Sequence, residues 1–191
     1  MMKKILLMLV FVMMFSSVAF AQVDKNYYNG DRNYIFCGAS MGAGYFVDRN
    51  SLVVEKYSPP IYILSIDVVS AGNYFNDGRD TKLGRRHTDR FMFDYGTRTM
   101  YLYTPNGDGK YLKTRYENHY RDRKDKLNKN IDWNSDWTYV DPDVFYGEGA
   151  MFPTSGEIAF ALAYNLKFHG SRYQRFSGDF YEKIGNVKDT L

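Results

Sequence analysis

What the chain has little of constrains it first. It holds one cysteine, Cys37, so no intramolecular disulfide can form. Asn33-Tyr34-Ile35-Phe36 stands before it, not the small-residue box that precedes a lipidated cysteine. Cys37 therefore reads as a small apolar core residue on a strand, with intermolecular pairing as its other use. Histidine is also scarce, with three residues. His87, His119 and His169 are too scattered for metal-ligand spacing, and neither H-x-x-x-H nor C-x-x-C occurs. No metal and no cofactor are expected. An excess of one charge is also missing, because 25 Lys and Arg stand against 22 Asp and Glu. Lys3 and Lys4 fall in a leader segment, and without them the net charge is near +1. The pI of 8.8 therefore does not argue for a nucleic-acid partner.

Only one long apolar run exists. Met1-Met2-Lys3-Lys4 leads into Ile5 to Phe15 and then to Ala19-Phe20-Ala21, a basic start, an apolar middle and a small-residue cleavage site. The run is shorter than the roughly 20 apolar residues that a span requires. Residues 1–21 are read as a signal peptide cut after Ala21, which predicts export across the inner membrane to the periplasm or cell surface and no transmembrane segment in the mature chain. Lys183 to Leu191 shows neither a sorting motif nor an apolar tail. The 170 residues from Gln22 to Leu191 suit one domain, which at that size buries roughly 70% of its unfolded surface.

What is there in quantity is aromatic and β-branched. Residues 22–32 are polar and Asn-rich and read as a flexible N-terminal arm, with a single domain over residues 33–191. Asn33 to Gly38 reads as a first strand. Two more flank Asp48-Arg49-Asn50-Ser51, whose Asp and Ser side chains are turn formers. After Ser58-Pro59-Pro60, Tyr62, Leu64, Ile66 and Val68 share one face of a strand, while Ser65 and Asp67 share the other. Ser70 to Arg86 reads as a polar loop. Phe91, Phe93 and Tyr95 alternate in the next strand, and Gly96-Thr97-Arg98 turns it into Thr99 to Tyr103. Trp137 to Val140 reads as a last strand. A charged insertion lies near residues 113–132, with Arg115, Arg121, Arg123 and Lys124 interleaved with Tyr116 and Tyr120 and followed by Trp133.

From Pro153 the pattern becomes helical. Thr154-Ser155-Gly156-Glu157 matches a capping box with Thr154 and Glu157 as its partners, and Gly170 stands where a C-cap glycine belongs. His169 would then face the helix dipole. Phe160, Leu162, Tyr164, Leu166 and Phe168 also alternate as a strand would, but length, capping and alanine content favour helix. Such a helix is apolar on two sides. One should lie on the sheet, the other under Phe176, Phe180 and Tyr181 or against a second subunit, which makes a homodimer possible. The fold class is α+β: an antiparallel meander of about six strands with a C-terminal helix packed on one face.

Chemistry-bearing motifs are few. Gly38-Ala39-Ser40-Met41-Gly42 matches the G-x-S-x-G of serine hydrolases, but a strand follows it where that elbow needs a helix. A small extracytoplasmic hydrolase centred on Ser40 is the alternative function. Asn106-Gly107-Asp108-Gly109 resembles part of a calcium loop, yet Thr104 and Arg115 fall where acids are needed. Glu148 and Glu157 carry no glycosidase signal. The tyrosines with Trp133 and Trp137 could form a stacking or protein-binding surface, and the basic insertion could meet an anionic surface polymer.

Taken with Tyr45-Phe46-Val47-Asp48-Arg49-Asn50-Ser51-Leu52, the long strand after Pro-Pro, the Arg90-Phe91 strand and the helix after Pro153, the chain resembles the surface-adhesin protein E family of small exported bacterial proteins. The outline covers most of residues 33–170. It lacks that family's lipid-anchoring cysteine and disulfide. The resemblance implies an antiparallel sheet with a C-terminal helix and a non-enzymatic surface module that binds host matrix proteins. It also implies a structural part for Asp48 and Ser51.

Overall fold

The structure is a computed structural model and describes residues 26–72, 82–105, 136–143 and 150–189. Seven antiparallel strands follow one another in sequence order: β1 (Tyr27–Tyr28), β2 (Asp31–Ser40), β3 (Ala43–Ser58), β4 (Ile61–Ala71), β5 (Leu83–Asp94), β6 (Thr99–Tyr103) and β7 (Trp137–Tyr139). One helix follows, α1 (Met151–Tyr164). Short 3-10 turns at Gly170–Arg172, Gln174–Phe176 and Gly178–Tyr181 carry the tail back over it. The α+β meander with a C-terminal helix is thus the architecture. Among the described residues no helix is long and apolar enough to cross a membrane.

Three strand expectations are corrected. Tyr27 is buried and pairs with Ile35, so the N-terminal arm ends before it and supplies an edge strand. The stretch around Asp48 does not reverse the chain. β3 runs through it as a bulge, advancing from Asp48 to Val53 while β4 moves only from Asp67 back to Ser65. Asp48 Oδ1 accepts Asn50 N–H at 3.0 Å, and Ser51 Oγ donates to Asp48 O and accepts Asp67 N–H, both at 2.7 Å. The hydroxyl bridges the strands where the ladder is interrupted, so the turn-forming chemistry is present without a turn. The third correction is β5, which begins at Leu83, inside the stretch read as loop.

Period two divides the sheet into two faces. On one, Tyr62, Leu64, Ile66 and Val68 stand across from Phe93, Phe91, Asp89 and His87, then Met100 and Leu102 on β6. Helix α1 covers this face. Phe160 has ring centroids 5.6 Å from Tyr62, 5.1 Å from Phe93 and 5.0 Å from Phe168. Burying a side chain of that size contributes about 2–3 kcal/mol. Cys37 is buried here at a bulge of β2, its thiol donating to Tyr45 O and its pKa pushed up by burial.

The helix starts three residues before the expected cap. Ala150 occupies the N-cap without a side-chain hydrogen bond, and Thr154 lies inside the helix. Pro153 is tolerated because the first-turn N–H groups have no intrahelical acceptor to lose. Asn165, in the left-handed region at φ 55°, ends the helix and donates its N–H to Ala161 O. Gly170 therefore is not the C-cap, and residues beyond Asn165 leave the helix, Leu166 forming a parallel bridge with Lys188. The second apolar side is covered by the tail, whose Phe176, Tyr181 and Ile184 are buried in the same cluster.

Candidate functional site

The second face of the sheet carries neither α1 nor the tail among the described residues, and its composition differs from the first. At its β6–β7 side, Tyr103 and Trp137 pair across the ladder with rings 5.2 Å apart, and Tyr101 and Tyr139 sit edge to face at 6.0 Å. Arg90 reaches this corner from β5. Its guanidinium lies 5.1 Å from the Tyr103 ring and 5.4 Å from that of Trp137, while Nε donates to Glu55 Oε2 at 2.6 Å. These side chains are half-buried, as a sheet surface leaves them. An arginine held over two aromatic rings and anchored by a carboxylate is pre-organised, so a ligand meets a fixed cation and fixed π-faces without ordering them.

An ionic row continues across the same face. Arg86 Nη1 donates to Asp48 Oδ2 at 2.7 Å and to Asp67 Oδ2 at 2.9 Å, and Thr88 Oγ1 donates to Asp67 Oδ1 at 2.6 Å. Burial works to raise the Asp67 carboxyl, but the hydrogen bonds from Thr88 and Arg86 outweigh it and hold the group below its ordinary value. Farther on, Phe46 is fully buried beneath Tyr28 and Phe36, with centroids 5.5 and 5.6 Å away. The face therefore reads, from edge to edge, aromatic, ionic, aromatic.

The helix-covered face holds two acid–histidine groups among its buried polar side chains. Near the N-terminal end of α1, His87 Nε2 lies 3.4 Å from Asp89 Oδ1. Burial pushes the Asp89 carboxyl up against the pull of His87, and the hydrogen bond to Asp89 raises the His87 imidazole. The other group centres on Glu157, which is fully buried. Its Oε1 accepts Phe168 N–H at 2.8 Å and Tyr181 O–H at 2.6 Å, and its Oε2 lies 2.9 Å from His169 Nδ1 and accepts His169 N–H at 3.0 Å. Glu157 thus fastens the tail to the helix and caps no helix terminus. His169 is a buried partner of Glu157, not an exposed dipole partner. A third feature is a cleft of about 240 Å3 lined by Arg98, Lys167, Arg172 and Asp189 among others, in which Lys167 is ion-paired with Asp189.

Of the residues expected to bind, the structure places Trp137 on the uncovered face. Arg115, Tyr116, Tyr120, Arg121, Arg123, Lys124 and Trp133 lie outside the described residues. The ends of their segment are fixed, because Thr104 N–H donates to Asp136 O at 2.7 Å. The segment therefore leaves and rejoins the sheet beside Tyr103 and Trp137. Ser40 ends β2 at a tight hairpin through Met41 and Gly42, at φ 52° and 82°. The strand-to-helix elbow that exposes a nucleophile is not formed there, and His87 and His169 are engaged with Asp89 and Glu157. Sequence reasoning missed Arg90, Glu55, Tyr101 and Tyr103 as one surface. Their signal was present in the alternation: they are the residues left on the other side once Phe91, Phe93, Met100 and Leu102 are assigned to the core.

The fold and this surface define the class, an α+β protein whose antiparallel sheet has one helix-covered face and one that no described element covers. Comparison with protein-family models, curated proteins and solved structures gives no match.

Proposed function

We propose that this is an exported, non-catalytic protein of the cell envelope or surface, an adhesin-like module that works by binding. The observation that carries this reading is the uncovered aromatic and ionic face, where Arg90, Tyr103 and Trp137 are pre-set at the corner from which residues 106–135 depart. Aromatic and arginine side chains of this kind dominate the energetics of protein contacts and also stack on sugar rings. The resemblance to the surface-adhesin protein E family supports a host matrix protein as the partner; an anionic surface polymer is the other. The basic residues of the 113–132 segment favour an acidic one.

The test is binding of the purified protein to immobilised matrix proteins and to heparin, beside Trp137→Ala and Arg90→Ala variants. Truncating one central aromatic or arginine is expected to weaken a saturable interaction by about tenfold or more. Ser40→Ala should leave binding unchanged. Saturable binding that neither face variant alters would refute the assignment to this face, and failure to bind any of these partners would refute the adhesin-like reading.

A further inference from the structure

The edge of β3 is exposed in a way that soluble proteins usually avoid. β2 pairs with β3 only as far as Asp48, through Tyr34, whereas β4 pairs with it through Ser58. From Val53 to Ser58 the strand is hydrogen-bonded on one side, and no strand among the described residues lies on the other. Every residue of this stretch is exposed. Val53, Val54 and Tyr57, at 52%, 47% and 67% exposure, are three of the four exposed large hydrophobic residues among those described. A free strand edge with β-branched and aromatic side chains is a template for another strand.

We propose that Val53–Ser58 is the seam at which two copies of this chain join, antiparallel about a twofold axis, so that the sheet continues from one protomer into the next. The charges on the edge select a second copy as the occupant. Glu55, bonded to Arg90, and Lys56, across from Ile63, both stand on the uncovered face. A twofold axis perpendicular to the sheet reverses the strand but keeps each face, which brings Lys56 of one copy towards Glu55 of the other. A partner strand of one charge would oppose one of the two. On the helix-covered face the same axis brings together Val54 and Tyr57 of both copies. Tyr57 already packs on Tyr62 and Tyr164, with centroids at 5.5 and 5.8 Å, and the Tyr164 hydroxyl is buried without a hydrogen-bond partner among the described residues. The mature net charge near +1 expected from the sequence leaves little repulsion between copies. The register shift at Glu55 and the adjacent Lys56 are devices that keep such an edge from pairing indiscriminately. Closed twofold pairing is also the commonest form of self-association.

Light scattering and sedimentation of the purified protein over a wide concentration range test this. A reversible dimer is expected, with Val54→Lys raising its dissociation constant about tenfold or more and Met41→Lys, at an exposed site on the opposite end of the sheet, leaving it unchanged. Mild oxidation should cross-link a Val54→Cys protein mixed with a Tyr57→Cys protein, since the axis sets these two positions across from each other, and not a Met41→Cys variant. Should Val54→Lys disturb folding, as read by circular dichroism, Tyr57→Ser offers the same comparison. A monomer at every concentration, a dimer indifferent to the edge substitutions, or cross-linking of the Met41→Cys variant equal to that of the Val54→Cys and Tyr57→Cys mixture would overturn the proposal.

Discussion

At the scale of single residues, Glu157 is the most consequential side chain in the described core. Four donors converge on its two oxygens: Phe168 N–H, His169 N–H, the His169 ring and Tyr181 O–H. Removing the carboxylate strands them in an interior where an unmet donor costs more than a met one gains. Glu157→Ala is expected to lower stability by about 3–5 kcal/mol, measured by urea denaturation, and a loss below about 1 kcal/mol would contradict the arrangement. Three titrating groups give a pH signature. Asp89 raises the His87 imidazole above its ordinary 6.5. The folded protein therefore holds that proton more tightly than the unfolded chain, and the stabilisation is whole below 6.5 and is lost as pH rises through the raised value. Burial of Asp89, which lifts its carboxyl above the ordinary 3.8, acts with the same sign. Lys183 acts oppositely. Burial pushes its ammonium from 10.5 down to about 8, so stability is regained as pH rises between those values. Urea melts across pH should show a fall near neutrality, flattened in His87→Gln, and a rise above it, absent in Lys183→Met. The sequence marked Asp48 and Ser51 for a turn and Thr154 and Glu157 for a capping box; Asp48 and Ser51 instead hold the β3 bulge, Thr154 lies inside the helix, and Glu157 holds the tail. The sequence did not reveal Glu157's partners, because they stand 11 to 24 residues away and meet it only once the tail has folded back.

Among the elements, helix α1 shows how packing overrides propensity. Gly156 lies in mid-helix, where alanine would be favoured by about 1 kcal/mol. A Cβ there would sit 2.3 Å from Met100 Sδ and 3.2 Å from Phe91 Cε1, both fully buried. Overpacking of that kind costs about 1–3 kcal/mol. Gly156→Ala is therefore expected to lower the thermal midpoint, and adding Met100→Val should recover part of the loss. An unchanged or raised midpoint in the single variant would show that the interface has slack. The strands around Tyr62–Val68 and Phe91–Phe93 were legible because strict alternation leaves one interpretation. The start of α1 was not, since Thr154 and Glu157 satisfy a capping pattern at the wrong turn, and the bulge in β3 was not, since Asp-Arg-Asn-Ser is equally good chemistry for a hairpin. The end of α1 was open to inspection in Asn165, the second-commonest residue at a left-handed cap.

For the whole molecule, the meander forces an asymmetry. Consecutive hairpins build one sheet, helix α1 with its tail covers one side, and among the described residues nothing covers the other. Sequence alone fixed the two-layer plan through period two in the strands and apolar crowding in the helix. The contact surface was harder to see, because Glu55, Arg90, Tyr103 and Trp137 come from four segments and become neighbours only through strand register. Seven of the eight expected binding residues fall in the segment beyond Pro105, so Trp137 alone connects that expectation to the surface described. The most direct test is to map amide chemical-shift changes while titrating the isotopically labelled protein with a matrix-protein fragment or a heparin oligosaccharide. Changes clustered on Glu55, Arg90, Tyr101, Tyr103 and Trp137 are the expected result. Changes confined to α1 and the tail, with the open face silent, would contradict it.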